Sequence, residues 1–164
     1  MDTKQLETFA QSARRQLHDE VAARLDRVLT TDSAELRGKE KAIRELEEEI
    51  AASSREDVVE KVAYTWFNRF CALRYMDVNH YTRMGTVSPV PGHTQPEILQ
   101  EAKQGYVDQR FRRTVDVQTV SGLLSGRLAS GDPQQEAYRL LLVGVCNAYH
   151  DVMPFMFEKI DDYT

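Results

Sequence analysis

Residues 53–79 read SSREDVVEKVAYTWFNRFCALRYMDVN, and their apolar side chains decide the fold. Val59, Val62, Ala63, Trp66, Phe67, Phe70, Leu73 and Met76 recur at intervals of three and four. That is the period of an α-helix, over a face wide enough for a central element. The spacing predicts a helix over about 56–79, with Trp66 as a buried core anchor. A capping box opens it, either Ser53 with Glu56 or Ser54 with Asp57, because such a pair satisfies free N–H groups in a first turn. Asn68, Arg69 and Arg74 stand on the flank of this buried helix. Each must find a partner there, since an unpaired buried charge is costly.

Toward the N-terminus, residues 3–29 carry Leu6, Phe9, Ala10, Ala13, Leu17, Val21, Leu25 and Val28 on one helical stripe. Thr30-Thr31-Asp32-Ser33 stops that helix and offers capping oxygens to the next. A second helix over 34–52 is mostly solvated, with only Leu36, Ile43, Leu46 and Ile50 at core spacing. The two are expected to form a short antiparallel hairpin.

Toward the C-terminus, residues 80–94 form the longest irregular stretch, punctuated by Gly85, Pro89, Pro91 and Gly92. Thr94-Gln95-Pro96-Glu97 reads as a capping box opening a short helix to about Gln104. Residues 105–115 are ambiguous between an extended arm and a short helix, and another short helix is expected over 116–125. Asp132-Pro133-Gln134-Gln135 is the clearest start signal, with an Asp cap, Pro at the first position and Gln at the third. The helix after it should bury Ala137, Leu140, Leu141, Val145, Cys146 and Tyr149, and Pro154 should end or kink it. Phe155, Met156, Phe157 and Ile160 continue an apolar pattern toward Thr164, which carries no stop signal. This segment is expected to fold back on the helix or to support self-association. The fold class is all-α, a bundle of about six helices with one long loop near residues 80–94.

At 164 residues, with 41% hydrophobic and 29% charged side chains, the chain suits one helical domain over residues 1–164. No stretch approaches the roughly 20 apolar residues of a membrane span, and the N-terminus lacks an apolar signal core. A cytoplasmic protein with no membrane partner is expected. Cys71 and Cys146 sit in apolar helical patterns and read as two reduced core thiols. The net charge of −5 arises within residues 31–60, which hold ten acidic and five basic residues. The rest is balanced, so binding to an acidic partner is permitted.

Few residues carry chemistry. There is no Gly-rich phosphate loop, CxxC pair, HExxH or GxSxG, and His18, His80, His93 and His150 share no ligand spacing. No metal site, catalytic residue or cofactor-binding residue is expected in this chain. Glu101-Ala102-Lys103, with Asp77 upstream, matches an ExK nuclease fragment, but Glu101 falls in a capped helix where such sites use strands. Arg110, Phe111, Arg112 and Arg113 form the one candidate nucleic-acid contact. Its arginines suit phosphates, and Phe111 or Tyr106 suits base stacking. The competing reading is a solvated basic turn paired with acidic neighbours.

The run from Val62 through Asn79, with its Trp66-Phe67-Asn68-Arg69 centre, resembles a segment near the start of the PglX family. These are the large adenine-specific DNA methyltransferases of BREX phage-defence systems. The opening from Lys4 to Arg15 and the stretch from Asp132 to Leu142, followed by Met153-Pro154-Phe155, resemble the same family in the same order. The resemblance implies an N-terminal helical part of a much larger enzyme whose S-adenosylmethionine pocket and Asn-Pro-Pro-Tyr type motif lie downstream. Neither Asn-Pro-Pro-Tyr nor Asp-Pro-Pro-Tyr occurs here, so no catalytic residue is carried over. The partners implied are the remainder of the methyltransferase, DNA and other BREX proteins. The alternative reading is a free-standing helical adaptor that binds proteins through its acidic second helix.

Overall fold

The computed structural model describes residues 3–30 and 39–160. Among them are six helices: α1 (Thr3–Thr30), α2 (Glu40–Ala52), α3 (Arg55–Val78), α4 (Glu97–Lys103), α5 (Val117–Leu124) and α6 (Pro133–His150). Extended pairing among the described residues is confined to an isolated bridge between Pro89 and Pro96. The all-α expectation holds. The chain divides into two compact units, one reaching Asn68 and the other spanning Arg69–Ile160.

In the first unit Leu25, Leu46, Val58 and Val59 form a core, with Val21, Ala22, Val28, Ile50 and Val62 packed against it. These side chains come from the second half of α1, from α2 and from the start of α3. Arg55 pairs with Asp26 at 2.7 Å and Lys61 with Glu49 at 2.9 Å, tying α3 to both neighbours. Such exposed pairs contribute only about 0–1 kcal/mol each. The apolar stripe of α1 is not buried along its whole length, because Leu6 and Phe9 are 52% and 66% exposed.

The two capping alternatives before α3 resolve cleanly. Ser53 closes α2, its N–H and hydroxyl both donating to the Glu49 carbonyl. Ser54 opens α3, accepting from the Asp57 N–H at 3.1 Å and donating to the Asp57 carboxylate at 2.7 Å. Thr31, Asp32 and Ser33, read as a stop and cap, lie outside the described residues, as does the beginning expected for the second helix. Trp66, expected to be largely buried as a core anchor, is half-buried. So large a ring is rarely covered completely.

In the second unit α4, α5 and α6 pack on one another, burying Ile98, Val120, Leu141 and Val145. Asp132 caps α6 as predicted, accepting from the Gln135 N–H at 3.0 Å with Pro133 in the first turn. Asp116 does the same for α5 through the Thr119 N–H. The capping box at Thr94 does not form. Pro96 precedes α4, and the Glu97 carboxylate turns away to accept from the Gly85 N–H at 2.7 Å.

Helix α6 ends at His150, four residues before Pro154, and the chain then folds back on it. Phe157 is fully buried with its ring 5.5 Å from that of Tyr149. Asn147 fixes the returning strand of chain, donating to the Ile160 carbonyl at 3.1 Å and accepting from the Ile160 N–H at 2.7 Å. Phe155 stays 83% exposed. The expectation of two core thiols is half right: Cys146 is buried and Cys71 is exposed. No helix among the described residues is long and apolar enough to cross a membrane.

Candidate nucleic-acid interface

The segment between α4 and α5 is neither an extended arm nor a helix but a run of turns, closed by N–H groups of Phe111, Thr114 and Val115. It lies flat on α6 because position 144 is glycine. A Cβ there would overlap Val115 Cγ2 and press on the Thr114 carbonyl oxygen at 3.0 Å. The Thr114 hydroxyl donates to the Gly144 carbonyl at 2.7 Å across this crossing. Val107, Phe111 and Val115 anchor the turns, each at most 5% exposed.

Phe111 is therefore a core residue, 2% exposed and edge-on to Tyr149 at 5.9 Å. That corrects its reading as a stacking platform: its apolar ring is the pin that holds the turn. Arg110, Arg112 and Arg113 remain on the surface. The Arg110 guanidinium binds both carboxylate oxygens of Asp108, at 3.2 and 3.0 Å. Its acidic partner is thus local and not part of residues 31–60. These bonds hold the Asp108 carboxyl below its usual range, the Arg110 side chain foremost, with Arg83 adding a smaller attraction. Arg112 donates from Nε to the Val107 carbonyl at 3.1 Å, leaving its outer nitrogens outward. Arg113 makes no hydrogen bond or ion pair among the described residues.

Arg83 is the residue that sequence reading missed. It donates to the Tyr106 hydroxyl at 2.9 Å, sits 5.4 Å from that ring's centre and contributes to the field at Asp108. It comes from the 80–94 loop, and no periodicity or motif links it to Arg110. The basic surface therefore draws on Arg83, Arg110, Arg112 and Arg113.

The other candidates separate. Asp77 is not a metal-ready carboxylate. It is 8% exposed and accepts from the N–H groups of Thr86, Val87 and Ser88 at 2.9–3.0 Å and from the Ser88 hydroxyl at 2.8 Å. No group of three His, Cys, Asp or Glu among the described residues could hold a metal ion. His150 is engaged with the Phe157 carbonyl at 2.9 Å. The 62–79 run lies along α3, and its polar members organise the second unit. Arg69, 1% exposed, donates to the Glu158 carbonyl at 3.0 Å, and Arg74 bonds the Ser88 hydroxyl.

The sequence is similar to those of adenine-specific methyltransferases. It is 41% identical over 110 residues to the adenine-specific methyltransferase BrxX of Escherichia coli O9:H4 (strain HS), a match covering 65% of this chain and 8% of that protein. It is 29% identical over 197 aligned positions to the adenine-specific methyltransferase PglX of Lacticaseibacillus casei (strain Zhang), covering 99% of this chain and 16% of that protein. The resemblance to a PglX N-terminal segment is borne out, and the chain spans only these small shares of its relatives. No family model and no solved structure matches the chain.

Proposed function

We propose that this chain is the N-terminal helical part of an S-adenosylmethionine-dependent, adenine-specific DNA methyltransferase of a BREX phage-defence system. Its role is to scaffold the enzyme and to contact the DNA backbone, with methyl transfer performed elsewhere in the longer protein. The similarity to PglX and BrxX over most of the chain carries this reading. The lack of an Asn-Pro-Pro-Tyr type tetrapeptide supports the division of labour. The DNA contact is assigned to Arg110, Arg112 and Arg113, which face outward from turns pinned at Phe111.

Duplex binding by the chain, measured across salt concentrations, tests the contact. Each phosphate neutralised steepens the log–log slope by about 0.9. Replacing all three arginines by Gln should flatten it by about two to three, less if Arg110 stays with Asp108. An unchanged slope removes these residues from the interface. Deleting residues 1–160 from the full enzyme should abolish adenine methylation in cells, and retained methylation would overturn the scaffold role.

A further inference from the structure

Within the second unit an open cavity of about 320 Å³ is lined by His93, Thr94, Gln95, Gln100, Lys103 and Gln104. The lining holds one cation and no carboxylate. Lys103 donates to the side-chain oxygens of Gln95 and Gln134, both at 2.7 Å, and Gln95 donates to the same Gln134 oxygen at 2.9 Å. The ammonium is thus aimed by two neutral amides, with one of its three N–H groups to spare. It forms no ion pair among the described residues. The side chains of His93, Thr94 and Gln104 likewise make no hydrogen bond there.

A lysine in a last helical turn also complements the dipole of its own helix. That role does not require a two-amide clamp beside an open depression whose other exposed rim side chains, His93, Thr94 and Gln104, are hydrogen-bonded only to solvent. A site whose one charge is positive and whose neutral groups can all donate is matched by an anion with several acceptor oxygens. Lysine binds phosphate as a point charge, with neutral donors completing the shell. The volume lies at the low end for small-molecule sites.

We propose that this cavity binds a phosphate group, with Lys103 supplying the charge and Thr94 and Gln104 the neutral donors. The phosphate comes from a nucleic-acid backbone or from a free nucleotide. The site is separate in its residues from the arginine turn and does not depend on that contact.

Inorganic phosphate, a deoxynucleoside monophosphate and a short DNA duplex, each titrated while the Gln95, Gln100 and Gln104 side-chain amides are followed by NMR, test the proposal. Saturable shifts are expected, weakened at least tenfold in Lys103→Gln, restored in Lys103→Arg, and retained when Arg110, Arg112 and Arg113 are Gln. Shifts with the duplex alone assign the site to backbone phosphate; shifts with the mononucleotide as well assign it to free nucleotides. The proposal fails if no phosphate probe gives saturable shifts, if Lys103→Gln responds like the parent, or if polyglutamate binds as well as phosphate does.

Discussion

Arg110 and Asp108 show how a single pair shapes what the basic turn can offer. Their bonds hold the Asp108 carboxyl low, and the carboxylate side chain is only 7% exposed. The sign follows from linkage. A carboxyl depressed in the fold contributes stability above its ordinary value of 3.8, lost as pH falls through the lower folded value. Asp108→Asn should therefore melt below the parent at neutral pH, with the gap narrowing as pH drops below about 3.8. A gap constant down to pH 2 would place the bond's contribution elsewhere. The two thiols make a second residue-scale contrast. Burial pushes the Cys146 thiol up to about 12, so it stays protonated, whereas Cys71 is exposed. Since the thiolate is the reacting form, one cysteine should be alkylated in the native protein and two in denaturant. Two fast-reacting thiols under native conditions would contradict the packing around Cys146.

At the scale of elements, α3 was the most legible part of the chain, and the reason is period. A wide apolar face repeated at three and four survives any detail of packing, and the box at Ser54 needed only neighbours in sequence. The Asp132 cap of α6 is local in the same way. The Glu97 carboxylate was misread because a partner twelve residues away, the Gly85 N–H, outcompeted its own helix. For the same reason the basic surface was half visible: Arg110, Arg112 and Arg113 are adjacent in sequence, whereas Arg83 arrives through the loop. Phe111 looked available because an aromatic between arginines has no pattern that tells pin from platform. Asp77 stood out in the sequence only as a carboxylate upstream of Glu101-Ala102-Lys103, and nothing there signalled that it winds the loop by collecting the N–H groups of Thr86, Val87 and Ser88. Leaving such groups unsatisfied costs about 1–3 kcal/mol each where water cannot replace the bond. Asp77→Ala should lower the melting temperature and speed hydrogen exchange at residues 84–88 while α1 and α2 exchange as before. Unchanged exchange in that loop would show that the carboxylate does not organise it.

At the scale of the whole molecule, the second unit is fastened by its own extremities. Arg69, its first residue, donates to the carbonyl of Glu158, two positions from its last, across 89 positions of sequence. The first unit's core, by contrast, is assembled by residues up to Val62. Chains are synthesised at roughly 5–20 residues per second, so about 4–18 s pass between the translation of Arg69 and that of Glu158. During that interval α1, α2 and the start of α3 are free to assemble outside the ribosome, while the later unit has no closing residue. A premature stop after α6 would release a protein with one half finished and Tyr149 stripped of the Phe157 ring that packs on it.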